Sequence, residues 1–121
     1  MKSSDFRELK VWQKAMELTI EVYRLVKFLP TTEDFCLSAQ MRRAVVSIPS
    51  NIAEGQGRDS TRDFVRFLAV ARGSLRELST QLEICERIHY FEPDESTNAN
   101  NLIVEVDKML NALSHSLSQP S

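Results

Sequence analysis

Apolar residues return along this chain at alternating steps of four and three, the helical period, in four separate stretches. In the first, Val11, Ala15, Leu18, Val22, Leu25 and Leu29 form one seam, which predicts a helix over about 9–29 that Pro30 ends. Beside that seam runs a second apolar stripe, Trp12, Met16, Ile20 and Tyr23. Two stripes on one helix imply two contact surfaces, one for a bundle core and one for another subunit. Leu37, Met41, Ala44, Val45, Ile48 and Ile52 predict a second helix over about 33–55, opened by Thr31 and Asp34 as a capping-box variant. Pro49 lies inside it, where proline removes an amide donor and clashes with the carbonyl of Val45, so a kink is expected. Gly55 and Gly57 read as its stop. Phe64, Leu68, Ala71, Leu75, Leu78, Leu82 and Cys85 predict a third helix over about 60–89, capped by Ser60 with Asp63 and roughly 43 Å long. Leu102, Val106, Met109, Leu113 and Leu117 predict a fourth over about 94–117, with Pro93 in its first turn.

Only 3 glycines and 4 prolines occur in 121 residues, too few for the many turns of an all-β protein. The expected fold is therefore all-α: one domain over residues 1–121, an antiparallel up-down-up-down four-helix bundle with short connections. Apolar runs fall short of the roughly 18 residues that suggest a membrane span. The polar, charged segment Met1–Lys10 does not read as a secretory signal. A cytoplasmic protein with reduced thiols is expected, Cys36 and Cys85 behaving as small buried hydrophobes.

The net charge of −2 and pI of about 5.7 argue against nucleic-acid binding by bulk charge. The distribution is less even than the total. Residues 41–76 carry seven arginines against three acids, a net of +4, while residues 77–121 carry two bases against eight acids, a net of −6. On the third helix Arg58, Arg62, Arg66, Arg72 and Arg76 fall within an arc of about 120°, opposite the apolar seam, and Arg42 and Arg43 of the second helix could extend it. Three uses fit this arc. It could be a solvated face with local pairs such as Asp59 to Arg62 and Asp63 to Arg66. It could pair with the acidic C-terminal half of a neighbouring subunit, or it could contact the phosphates of RNA or DNA.

Catalytic chemistry has little to build on. Glu86-x-x-His89 has the ligand spacing of di-iron carboxylate bundles, but those need a second such pair, and the other histidine, His115, follows Ala112 at that spacing. Ser47, Ser50 and Ser74 lack the strand-turn-helix elbow of serine hydrolases. Gly55-Gln56-Gly57 is not followed by the Gly-Lys-Ser/Thr of a phosphate loop. The expectation is a protein without catalytic residues, metal, cofactor or small-molecule substrate.

The run from Arg42 to Arg58, RRAVVSIPSNIAEGQGR, closely resembles the signature of the 23S rRNA-intervening-sequence protein family, also called four helix bundle proteins. Leu9–Ala15 looks like that family's opening helix and Phe64–Leu78 like its third, so the similarity covers roughly residues 6–115. The resemblance implies a small bacterial bundle assembling as a ring-like homopentamer. Some members are encoded within intervening sequences of ribosomal RNA genes. A related protein is the accessory subunit of diversity-generating retroelements, a basic pentamer that binds a reverse transcriptase and nucleic acid. This chain departs from that subunit in being acidic overall. The implied function is a non-enzymatic oligomeric scaffold for a macromolecular partner; the alternative is an RNA- or DNA-binding protein that uses the arginine face, alone or beside a nucleic-acid enzyme. The signature also has an architectural reading. Pro49 kinks the helix, Ser47, Ser50 and Asn51 satisfy the backbone groups so freed, and Glu54 pairs with an arginine of a neighbouring helix or subunit. Gly73, which costs about 1 kcal/mol relative to Ala in mid-helix, marks a close helix–helix approach.

Overall fold

The four periodic stretches form four helices: α1 (Lys10–Val26), α2 (Leu37–Gln56), α3 (Thr61–Arg87) and α4 (Thr97–Ser118). They are seen in a computed structural model that describes residues 5–120; the first four residues and Ser121 of the expected 1–121 domain lie outside the described residues. Single turns of 3₁₀ helix at Phe6–Glu8, Thr31–Glu33 and Pro93–Glu95 precede α1, α2 and α4, and no strand occurs among the described residues.

The seams meet in one core, a four-helix bundle. Leu18 and Leu25 of α1, Met41, Ile48 and Ile52 of α2, Leu68, Leu75, Leu78 and Leu82 of α3, and Leu110 of α4 are all fully buried. α1 packs against α2 and α4, and α3 packs against the same two helices. Polar contacts tie the layers together. Ser47 of α2 meets Ser74 of α3, with 2.8 Å between the hydroxyls. Lys14 of α1 pairs with Glu105 of α4 at 3.5 Å, and the Cys85 thiol of α3 points at the Met41 sulfur of α2, 3.8 Å away.

The helix ends differ from the periodic reading where local hydrogen bonds outcompete the pattern. α1 stops at Val26, because Lys27, Phe28 and Leu29 turn their amides to Arg24, Leu25 and Val26 in tighter i→i−3 steps ahead of Pro30. α2 starts at Leu37 rather than near 33. Thr31 and Asp34 form no capping box with it, since Thr31–Glu33 closes its own 3₁₀ turn and the Glu33 carboxylate accepts the Leu37 amide at 3.2 Å. Ser60 does cap α3, its hydroxyl accepting the Asp63 amide at 3.0 Å. At the far end, α3 closes in a Schellman motif: the Tyr90 amide reaches the Cys85 carbonyl at 2.9 Å and the His89 amide the Glu86 carbonyl at 3.2 Å. His89 occupies the left-handed position of that motif, φ 64°, where glycine is the usual residue.

Two glycine roles are the reverse of those expected. Gly55 is inside α2 and buried, and a Cβ there would lie 2.7 Å from Phe67 Cβ and 3.0 Å from Phe64 Cδ1. The close approach of α2 to α3 is made at Gly55, while Gly73 faces outward with nothing among the described residues within 4 Å of an added Cβ. Gly57 alone ends α2, with φ −79°. Cys85 is buried as expected, whereas Cys36, placed at the α2 cap, is exposed.

Candidate interaction surfaces

The outer face shared by α1 and α2 is built around Pro49. Proline leaves the Val45 carbonyl without its in-helix amide, and the Thr19 hydroxyl of α1, which donates to the Ala15 carbonyl at 2.8 Å, also lies 3.5 Å from the Val45 oxygen. Thr19 was not singled out from the sequence. The signal was a lone threonine between Met16 and Tyr23 on the second apolar stripe, facing the proline of the neighbouring helix. The Asn51 side-chain amide donates to the Ser47 carbonyl at 2.7 Å and hydroxyl at 2.9 Å, not to the Val45 carbonyl that Pro49 frees. With the Ser47–Ser74 contact this knits α2 to α3. Ser50 stays on the surface. Glu54 pairs with Arg58 four residues on, at 3.1 Å, within its own chain segment.

The second stripe of α1 is only partly covered. Trp12 and Met16 are half-buried, Phe6 standing edge-on to Trp12 at 5.3 Å between ring centres. Ile20 is 69% exposed and Tyr23 43%. Two apolar grooves follow the α1–α2 seam. One, of about 350 Å³, is lined by Phe6, Trp12, Met16, Val46, Pro49 and Ala53. The other, of about 570 Å³, is lined by Tyr23, Ala39, Arg42, Arg43, Val46 and Ser47. Trp12, Met16, Tyr23, Arg42, Arg43, Ser47 and Pro49 are therefore brought to one face, as their spacing on two adjacent helices allows.

The arginine arc is divided among several neighbours. Arg58 pairs with Glu54 and lies over the Phe67 ring, 4.8 Å from its centre. Arg66 pairs with Asp63 at 3.7 Å. Arg72 leans to the α4 side, its Nε buried and 4.0 Å from an Asp107 carboxylate oxygen. Arg62 and Arg76 are exposed, and among the described residues neither makes an ion pair; the expected Asp59 to Arg62 pair does not form. Arg42 donates to the Asp34 carbonyl at 3.3 Å and faces the α1–α2 groove rather than extending the α3 arc.

Glu86 and His89 do not form a ligand pair. Glu86 accepts from the Ser96 hydroxyl at 2.5 Å and the Asn100 amide at 3.0 Å, fastening α3 to the start of α4, while His89 lies past the helix end. Among the described residues no three His, Cys, Asp or Glu side chains gather as a metal site. Elsewhere the titratable groups serve structure. The Arg24 guanidinium, which donates twice to Glu21 at 3.0 and 2.7 Å, holds that carboxyl below its usual range. Burial, with Glu33 and Glu86 nearby, pushes the Cys85 thiol up to about 11. The Tyr90 hydroxyl donates to Glu33 at 2.7 Å, which raises the phenol above 10.

Residues 7–112 match the family model described as 23S rRNA-intervening sequence protein. Among solved structures, the chain is similar to a protein of unknown function from the S23 ribosomal protein family of Bacteroides thetaiotaomicron. The two are 30% identical over 86% of this chain and 97% of that one, with a TM-score of 0.79. No curated protein matches the chain. No helix of the described residues is long and apolar enough to cross a membrane.

Proposed function

Since the chain belongs to the 23S rRNA-intervening sequence protein family, we propose that it is a cytoplasmic, non-enzymatic scaffold whose copies assemble through the α1–α2 face and together bind a macromolecular partner. The observation that carries this reading is the second stripe of α1. A helix whose first seam is already buried still presents Ile20 and Tyr23 to solvent, beside two apolar grooves. Contiguous apolar surface of this kind is a mark of protein–protein contact. The family resemblance supplies the ring-like homopentamer as the expected assembly. The up-down-up-down arrangement is supported by the residue pairs between neighbours: 55 with 64 and 67, 47 with 74 and 41 with 85 across α2 and α3; 14 with 105 and 24 with 95 across α1 and the α4 side. In each set, position rises along one helix as it falls along the other. Sedimentation velocity at micromolar concentration tests the assembly. A species several times the mass of the 13.9 kDa chain is expected, and monomer alone would overturn the reading.

A nucleic-acid-binding function is favoured by one observation, the exposure of Arg62 and Arg76 without carboxylate partners among the described residues. Titration with duplex DNA or RNA at several salt concentrations tests it. Binding that weakens with a slope of about −0.9 per phosphate neutralised on duplex DNA supports this second function, and no binding at low salt removes it.

A further inference from the structure

The most exposed large apolar side chain among those described is Phe35, 96% accessible, in the short link before α2. It is not alone. Tyr90 bonds to Glu33, and Arg24 reaches the Glu95 carbonyl at 3.4 Å, so the α1–α2 and α3–α4 connections share one end of the bundle. Phe28 and Ile88, also exposed, belong to the same end. That end is acidic: residues 24–36 and 83–96 together hold seven acids against three bases, a net of −4. An aromatic tip of this sort asks for an apolar seat with positive charge at its rim.

The chain carries such a seat beside the tip, along the first turns of α2, where Arg42 reaches the Asp34 carbonyl. The groove of about 570 Å³ is lined by Tyr23, Ala39 and Val46 together with Arg42, Arg43 and Ser47, with no acid in its lining. Arg43 makes no ion pair among the described residues. We propose that the Phe35 tip of one copy seats in the groove of Tyr23, Arg43 and Val46 on a second copy, its acidic surround facing Arg43. This rests on the scaffold reading and names the contact that would build the assembly. Tip and groove adjoin at the start of α2 but are made of different side chains, so each copy can give one and receive one. Repetition of such a heterologous contact closes a ring when the rotation allows. Burying an almost fully exposed phenylalanine at the centre of the contact supplies the hydrophobic gain, and the opposed charges orient it.

Two single variants and their mixture test this by sedimentation velocity. Phe35→Ala removes the tip and Val46→Glu blocks the groove; both positions are exposed, so far-ultraviolet circular dichroism and melting temperature should stay near those of the unaltered chain. Each variant alone should dissociate, with an apparent Kd raised about thirtyfold. Mixed together, they should form a one-to-one pair, because Phe35→Ala keeps an intact groove and Val46→Glu an intact tip. If the unaltered chain assembles but neither variant weakens it, or the mixture forms no pair, the tip-and-groove contact is wrong while the scaffold reading stands. If the unaltered chain stays monomeric at high micromolar concentration, both fall.

Discussion

Replacing Gly55 by alanine sets two opposed effects of comparable size against each other, and the structure decides between them. In mid-helix, alanine is better than glycine by about 1 kcal/mol. Against that gain, the new methyl would lie 2.7 Å from Phe67 Cβ, 3.0 Å from Phe64 Cδ1 and 3.3 Å from the Phe64 carbonyl oxygen. Phe67 Cβ is fixed to the α3 backbone and cannot swing away as a flexible side-chain end could, so relief requires α2 and α3 to move apart. Overpacking of this kind costs about 1–3 kcal/mol, and a contact of 2.7 Å to an atom fixed on the backbone belongs to the upper part of that range, about 2–3 kcal/mol. The net expectation for Gly55→Ala is a loss of about 1–2 kcal/mol. For 121 residues, each kcal/mol corresponds to about 4 °C, so the melting temperature should fall by about 4–8 °C. Gly73→Ala is the matched control, with the same propensity gain and nothing of its own chain to meet; it should rise by about 4 °C. Thermal and urea unfolding of the two variants beside the parent is sufficient. Gly55→Ala at or above the parent would refute the close-approach argument. A loss for Gly73→Ala would show that something outside the chain packs against α3 at that point.

Three further outcomes follow from the geometry. His89→Gly should stabilise the fold by about 1 kcal/mol in chemical unfolding, because glycine adopts the left-handed φ of 64° without the penalty a side chain meets there. Of the two thiols, exposed Cys36 should react at once with a disulfide reagent under native conditions and Cys85 only on unfolding; two equally fast thiols would contradict the buried position of Cys85. Raising the pH should weaken the protein in a defined window. The Cys85 pKa is higher in the fold than its ordinary 9.0, so its contribution is complete below pH 9 and is lost as pH rises through about 11. The loss is at most about 1.4 kcal/mol per pH unit across that window, the raised Tyr90 phenol acts in the same direction, and urea midpoints at pH 8 and 10.5 that coincide would refute this.

The sequence by itself determined the helices, because helical period is a local property: the 4-3 spacing of Leu18, Leu68 or Leu110 with their neighbours marks a buried face wherever the partners lie. It also showed that α1 has a second apolar stripe, and the family signature around Pro49. What only the tertiary structure decided were matters of which element faces which. Gly55 and Gly73 are both small residues in or near helices, and nothing local distinguishes a stop from a close approach; the position of Phe64 and Phe67 across the α2–α3 contact does. Thr19 became the partner of the Val45 carbonyl because α1 lies against the proline face of α2. The arginine arc, one face on a helical projection, was divided because α4 places Asp107 beside Arg72 while Arg62 and Arg76 meet no acid among the described residues. Periodicity is written along one chain segment, whereas pairing energies arise between segments, and these become definite only when the helices are in place.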